Sequence, residues 1–128
     1  MTERGRILVV DDDAMIHRTM RRVLRDHDLV CIDSAITALA LLERGERFDV
    51  ILSDVMMPAM TGIEFYQQLA ERDPALARQV VFVTGGACAT AGAEDFLRSI
   101  SNITLEKPFG PPQLSAIVAR MLAARPHP

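Results

Sequence analysis

Short apolar runs alternate five times along the chain with longer segments in which apolar residues recur at helical spacing. The runs lie at 7–10, 29–32, 50–52, 80–83 and 103–105. The first run, Ile-Leu-Val-Val, is continuously apolar, which is typical of a strand buried on both faces. Five such strand–helix units predict an α/β fold, in which a doubly wound parallel sheet carries helices on both faces.

Capping residues support the helical segments between these runs. Asp13 and Ser34 stand at predicted N-caps, and Thr61 begins a Thr-Gly-Ile-Glu capping box. The fourth helical segment has a weak pattern until Phe96. The segment from Gly85 to Gly92 is expected to be a flexible loop that opens easily, and the helix after it to be well ordered only near Glu94 or beyond. We expect one domain over 1–128, with its core at about 6–122 and a tail at 123–128.

Composition excludes several classes of protein. The chain has 128 residues and a net charge of −3, which argues against direct binding to nucleic acid. No apolar run approaches the roughly 20 residues of a transmembrane helix, so direct membrane association is not expected. The N-terminus lacks the apolar stretch of a signal peptide, which predicts a cytoplasmic location. The two cysteines show no metal-ligand spacing and are expected to be free thiols.

Polar residues follow all five predicted strands, and Asp33 after the second is typical of a loop. Asp11 and Asp12 come after the first strand, Asp54 ends the third, Thr84 ends the fourth, and the fifth leads to Lys107, the single lysine of the chain. Ligands of open α/β sheets bind at the carboxyl ends of the strands. The sequence therefore predicts that carboxylates, a hydroxyl and an ammonium group meet at one edge of the sheet.

This set of groups indicates a reaction class. Neighbouring carboxylates repel one another, and a divalent cation resolves the conflict. Oxygen ligands without His or Cys favour Mg²⁺, or Mn²⁺, over zinc. A carboxylate beside such a cation, with a lysine and a hydroxyl nearby, is suited to attack and accept a phosphoryl group.

Each of these residues also has an ordinary interpretation when it is taken alone. Asp13 is expected to be only a helix cap, Thr84 alone fits a β-strand, and Lys107 alone fits the surface. The methionines at 56, 57 and 60 are interpreted as loop or core residues, and the three histidines as solvent-facing. Only the joint pattern favours a phosphoryl-transfer site.

The chain resembles the receiver domain of two-component response regulators. The matching stretches are 7–13, 49–58, 60–62, 81–86 and 106–109. The resemblance implies five parallel strands in the order 2-1-3-4-5, with five helices. By position, Asp54 resembles the phosphoacceptor, Thr84 the switch hydroxyl and Lys107 the lysine that contacts the phosphoryl group; the Lys107–Pro108 bond is expected to be cis.

The resemblance also implies a metal site. Asp12 resembles the direct Mg²⁺ ligand, Asp11 a neighbour that acts mostly through water, and the main-chain carbonyl of Met56 a further ligand beside Asp54. One position departs from the family pattern, since Thr104 stands where many receivers carry an aromatic switch residue. Aromatic-switch signalling therefore cannot be carried over.

The function implied is a phosphoacceptor in a phosphorelay rather than a conventional turnover enzyme. The expected partners are a sensor histidine kinase or a histidine phosphotransfer protein, and the expected state is a monomer or a phosphorylation-dependent dimer. The stretches 82–87 and 105–109 are similar to receivers of hybrid histidine kinases, so a stand-alone regulator and a kinase-derived receiver both remain open.

Two other classes of protein fit the sequence less well. The main alternative is a haloacid-dehalogenase-type phosphatase, but Met15 stands where that family has Thr or Val, and Gly-Gly-Ala follows the fourth strand instead of an acidic motif. A degenerate binding module is disfavoured because all five site residues are present.

Overall fold

A computed structural model describes residues 4–85 and 91–124. Its centre is a five-stranded parallel sheet with the order β2-β1-β3-β4-β5, which confirms the predicted fold class and strand order. The strands are β1 (Arg6–Val10), β2 (Asp28–Ile32), β3 (Val50–Asp54), β4 (Val80–Gly85) and β5 (Thr104–Lys107). The central strand β3 is buried along its whole length, as its apolar sequence predicts.

Six helices are described where five were expected. They are α1 (Ala14–Val23), α2 (Ala35–Glu43), α3 (Gly62–Arg72), α4 (Pro74–Ala77), α5 (Ala91–Ser99) and α6 (Pro111–Ala124). The additional helix α4 forms because Pro74 favours the first helical position and the Asp73 side chain accepts a hydrogen bond from the Leu76 N–H at 3.1 Å. Among the described residues, no helix is long and apolar enough to cross a membrane.

Helix α5 begins earlier than expected. Its first residue is Ala91, three residues before Glu94, and the apolar pattern becomes visible only at Phe96. Alanine favours the helix without forming an apolar stripe, and the small Ala93 is 4% exposed against the core. Most of the expected flexible loop, 86–90, lies outside the described residues, while Gly85 ends β4 and Gly92 lies in α5.

The predicted caps are present. Asp13 accepts a hydrogen bond from the Met15 N–H at 2.9 Å, and Ser34 accepts one from the Thr37 N–H at 3.1 Å. At the start of α3, the Thr61 N–H donates to Glu64 at 3.0 Å and the Glu64 N–H donates to Thr61 Oγ1 at 3.1 Å. This reciprocal pair is a capping box, and it holds the loop that connects β3 to α3.

Two apolar layers enclose the sheet. On one side, Leu8, Ile51 and Phe82 pack against helices that include α2, α3 and α5. On the other side, Val9 and Leu52 pack against α1 and α6. Because both faces of the sheet are covered, the polar side chains that follow the strands meet at its carboxyl edge.

The opposite, amino-terminal edge is held by Arg6. Its N–H donates to Asp49 Oδ2 at 2.8 Å, and its guanidinium donates to Glu46 Oε1 at 2.6 Å. The same guanidinium lies 4.5 Å from the centre of the Phe48 ring. Arg6 thus joins β1 to the segment preceding β3 through hydrogen bonds, an ion pair and a cation–π contact.

The expectation of solvent-facing histidines is wrong for two of the three. His27 is half-buried and its Nδ1 accepts a hydrogen bond from the Gly5 N–H at 3.0 Å, while His17 Nε2 is buried on α1. The third histidine and Cys88 lie outside the described residues. Cys31 is a free thiol, and its burial raises the pKa of that thiol.

Candidate functional site

Three carboxylates meet at the carboxyl edge of the sheet. Val10 pairs with Ser53 across β1 and β3, so Asp11, Asp12 and Asp54 follow from the same end of neighbouring strands. One carboxylate oxygen from each aspartate lies within 4.8 Å of the others. Asp11 is 1% exposed and Asp54 is 8% exposed, while Asp12 faces solvent. The cluster is therefore buried on the protein side and open through Asp12.

Lys107 is the cation of this cluster. As the last residue of β5, it places its Nζ 3.2 Å from Asp11 Oδ2 and 3.8 Å from Asp54 Oδ1. One ammonium group stands against three carboxylates, so an excess of negative charge remains in the cleft. The peptide bond from Lys107 to Pro108 is cis, as the resemblance implied.

Thr84 lies on the strand between Asp54 and Lys107. Asp54 pairs with Val83 across β3 and β4, which places Thr84 one residue beyond the end of β3. Thr84 is 6% exposed, and its hydroxyl donates to the Gly85 carbonyl at 3.1 Å. All the strand-end residues selected from the sequence are therefore gathered at one edge of the sheet.

The loop after β3 brings the backbone of Met56 to the site. The Met56 N–H donates to Asp54 Oδ1 at 3.4 Å. The loop is closed by Gly62, whose N–H donates to the Val55 carbonyl at 2.8 Å. A Cβ on Gly62 would lie 2.0 Å from the carbonyl oxygen of Asp54, so only glycine permits this approach.

Sequence analysis missed this role of Gly62. One signal for this role was present in the sequence. Glycine has a low helix propensity, so a glycine directly after the capping threonine does not serve the helix itself and indicates a close contact. Glycine is required at position 62 because its backbone lies against the end of β3, and local sequence does not reveal that contact.

The surroundings of Asp54 raise the pKa of its carboxyl to about 6. Burial of the carboxylate is the largest cause, and the neighbouring charge of Asp11 adds to it. Lys107 and the Met56 N–H act in the opposite direction by stabilising the ionised form. Asp54 is consequently ionised for the most part above about pH 6, and so at neutral pH, as a nucleophile must be.

The donor set fits a hard divalent cation. Asp11, Asp12 and Asp54 supply only carboxylate oxygens, and neither His nor Cys joins the cluster within 4–85 and 91–124. A bound cation would neutralise the excess negative charge and relieve the repulsion that raises the pKa of Asp54.

A cavity of about 330 Å³ lies next to Thr84 on the β5 side. Thr104 is exposed and small, and it leaves space between β5 and α5. The lining consists of Thr84, Gly85, Glu94, Leu97, Arg98, Thr104 and Glu106.

Comparison with known proteins agrees with this geometry. The family model described as response regulator receiver domain matches residues 7–119. Among curated relatives, the hydrogenase transcriptional regulatory protein HoxA of Bradyrhizobium diazoefficiens is 33% identical over 119 residues, which cover 89% of this chain and 23% of that protein. The chain spans about a quarter of the length of the first curated relatives that it matches.

Solved structures show the same fold. The CheY-like receiver domain protein from Methanospirillum hungatei has a TM-score of 0.81 and 27% identity, and the match covers 94% of this chain and 95% of that one. The receiver domain of the sensor histidine kinase PA1611 from Pseudomonas aeruginosa, which has a magnesium ion coordinated in its active-site cleft, has a TM-score of 0.77 and 25% identity, with coverage of 95% and 100%. The chain belongs to the receiver-domain family of two-component response regulators.

Proposed function

We propose that Asp54 accepts a phosphoryl group from a phosphohistidine and that the resulting aspartyl phosphate switches the conformation of the domain. The observation that carries this proposal is the position of the Asp54 carboxylate, at the end of the central strand, 3.8 Å from Lys107 Nζ and within 4.8 Å of two further carboxylates. This arrangement combines a nucleophile, a cation and a site for a metal ion in one cleft.

The metal proposed for this cleft is Mg²⁺, for which Mn²⁺ can substitute. Its ligands would come from Asp11, Asp12 and Asp54, together with the main-chain carbonyl of Met56. The magnesium ion in the PA1611 receiver supports this choice of metal. When bound, Mg²⁺ supplies positive charge that stabilises the transferring phosphoryl oxygens.

The residues of the chain then have distinct tasks in the transfer. An Asp54 carboxylate oxygen forms the new P–O bond as the P–N bond to the donor histidine breaks, and the histidine nitrogen keeps the electron pair of that bond. Lys107 donates a charge-assisted hydrogen bond to one phosphoryl oxygen, and the Thr84 hydroxyl donates to another. Burial of Asp54 limits the access of water to the reacting atoms.

The partner that supplies the phosphoryl group is a sensor histidine kinase or a histidine phosphotransfer protein. The domain catalyses its own phosphorylation and dephosphorylation and turns over no separate substrate. The match to the receiver family over residues 7–119 supports this role and gives no support to the phosphatase alternative.

The signal leaves the site through Thr84. When Thr84 moves towards the phosphoryl group, Thr104 is too small to fill the vacated space, and its β-branched side chain has few rotamers to exchange. The cavity between β5 and α5 is consistent with that inference. We therefore propose that the change is transmitted through the backbone of residues 85–92, of which 86–90 lie outside the described residues, and through α5. The proposed output surface is on α5, β5 and α6, or elsewhere if the chain is a kinase receiver.

Intact-mass measurement tests the proposed function. A small-molecule phosphodonor such as phosphoramidate should add one phosphoryl group to the wild type only when Mg²⁺ or Mn²⁺ is present. Asp54→Asn should abolish the addition, while the exposed Asp33→Asn, which removes the same charge elsewhere, should retain it. Unchanged phosphorylation of Asp54→Asn would overturn the assignment.

A further inference from the structure

Ser53 is a buried polar residue of β3 to which the proposed transfer gives no task. It is 0% exposed, and its register partners Val10 on β1 and Phe82 on β4 belong to the same apolar layer as Ile51. Buried hydroxyl groups in proteins are as a rule hydrogen-bonded. The partner of this one is the backbone, since Ser53 Oγ donates to the carbonyl oxygen of Asp54 at 3.1 Å. The hydroxyl is therefore directed at the peptide that follows the proposed phosphoacceptor.

The peptide unit between Asp54 and Val55 is held at both of its ends. Its carbonyl accepts from the Ser53 hydroxyl, and its N–H donates to the Val83 carbonyl at 3.2 Å. The backbone of Gly62 also lies against this carbonyl oxygen, which a Cβ at position 62 would approach to 2.0 Å. Because a peptide unit is planar, hydrogen bonds at both ends fix the orientation of the whole unit.

The next peptide unit, between Val55 and Met56, connects this arrangement to the Asp54 carboxylate. Its carbonyl accepts from the Gly62 N–H at 2.8 Å, and its N–H donates to Asp54 Oδ1 at 3.4 Å. The bond to the carboxylate is long for an N–H donor, so a small rotation of the preceding peptide unit strengthens or breaks it. Two consecutive peptide planes thus connect the Ser53 hydroxyl to the carboxylate that is proposed to accept the phosphoryl group.

We propose that Ser53 is a positioning residue for phosphoryl transfer. Its hydroxyl fixes the first peptide unit after β3 and thereby keeps the Met56 N–H on the Asp54 carboxylate, which restricts the rotation of the carboxylate before the phosphoryl donor arrives. Ser53 itself touches none of the reacting atoms, because its side chain is fully buried and its hydroxyl is bonded to the backbone. The inference rests on the proposed function, since Ser53 acts through Asp54.

Packing alone does not require a hydroxyl at position 53. The neighbours Val10, Ile51 and Phe82 are apolar, and alanine in place of Ser53 removes one oxygen without adding bulk. A purely structural role predicts that Ser53→Ala folds and is phosphorylated at the wild-type rate. A positioning role predicts that it folds and is phosphorylated slowly, because the carbonyl of Asp54 has lost the donor that orients it.

The rate of phosphorylation by phosphoramidate, followed by intact mass at saturating Mg²⁺, tests this role. Ser53→Ala should lower the maximal rate at least fivefold and leave the KM for phosphoramidate within twofold, because Ser53 does not contact the donor. Ser53→Cys keeps the size of the side chain but has only a weak donor, and should be slowed at least threefold. Ser53→Thr keeps the hydroxyl and should retain at least half of the wild-type rate.

Ile51→Val is the matched control. It removes one buried carbon from the same strand and the same face, just as Ser53→Ala removes one buried oxygen. The control takes away no hydrogen bond, so its maximal rate should stay within twofold of the wild type.

Solvent exchange of the Met56 amide hydrogen, measured by NMR, reports on the positioning itself. In the unphosphorylated protein, Ser53→Ala should make this hydrogen exchange at least tenfold faster, whereas Ile51→Val should leave its rate within threefold. This measurement does not depend on phosphoryl transfer. Failure of the wild type to be labelled at Asp54 would therefore count against the proposed function alone.

Four results would overturn the positioning role of Ser53. They are labelling of Ser53→Ala at the wild-type rate, equal slowing of Ile51→Val, slowing of Ser53→Thr to the rate of Ser53→Ala, and an unchanged exchange rate of the Met56 amide in Ser53→Ala. A raised KM with an unchanged maximal rate would also contradict it, because that result assigns Ser53 to binding of the donor.

Discussion

Replacing Asp54 with Asn should stabilise the metal-free protein at neutral pH. The variant removes a carboxylate whose pKa is raised from 3.8 to about 6 by burial and by Asp11. The Asn side chain keeps an oxygen that can accept the hydrogen bond from the Met56 N–H. The substitution thus removes the unfavourable charge while retaining the shape of the side chain.

The magnitude follows from the pKa difference. One pKa unit corresponds to about 1.4 kcal/mol, so a rise of about two units means that ionised Asp54 costs at most about 3 kcal/mol of folding free energy. A raised carboxyl pKa means that the folded state binds the proton more tightly. The cost is therefore absent below pH 3.8, appears as the pH rises, and is complete above about pH 6.

Urea unfolding with EDTA present measures this effect. Asp54→Asn should gain about 1–3 kcal/mol over the wild type at pH 7.5, and at most about 0.6 kcal/mol at pH 4. Asp33→Asn is the control, because it removes one exposed carboxylate and should change stability by less than about 0.5 kcal/mol. The reasoning is refuted if the gain is the same at both pH values, or if the control shows an equal gain.

Three further substitutions probe the metal site, the loop after β3 and the far edge of the sheet. Asp12→Asn should stabilise the metal-free fold and reduce the rise in melting temperature caused by Mg²⁺. If thermal melts show the same Mg²⁺-dependent rise as in the wild type, this prediction is wrong. Gly62→Ala should cost about 2 kcal/mol or more and slow phosphorylation of Asp54, because its Cβ collides with the Asp54 carbonyl. Gly92→Ala, whose Cβ meets open space, should be neutral or slightly stabilising in the same urea and mass assays, and equal losses would remove the steric argument. Arg6→Lys should cost about 1–2 kcal/mol in urea unfolding without changing Mg²⁺ binding, and a loss below about 0.3 kcal/mol would show that the guanidinium contacts are dispensable.

The sequence predicted the features that depend on local pattern or on strand order. Continuous apolar runs such as Ile7–Val10 identify strands covered on both faces, and this in turn predicts helices on both sides of the sheet. Once the strands are parallel, the residues after them share one edge, so the proximity of Asp11, Asp54 and Lys107 follows from topology.

Features that depend on a single tertiary contact were not predicted. Helix α4 has four residues, which is too short for a periodic pattern, and the first turn of α5 is built from small residues that show no apolar stripe. The hydrogen bond to His27 and the approach of Gly62 to β3 each join segments that are distant in sequence or separated by a loop. Burial of the Asp54 carboxylate, which raises its pKa, likewise comes from packing.

Locating the phosphoryl group on the chain tests the central claim most directly. After treatment with phosphoramidate and Mg²⁺, borohydride reduction converts an aspartyl phosphate to homoserine, which peptide mass spectrometry assigns to one position. The account predicts homoserine at position 54 in the Mg²⁺-treated wild type and none in a sample treated with EDTA. Homoserine at position 11 or 12, or phosphate retained on a histidine with position 54 unmodified, would contradict it.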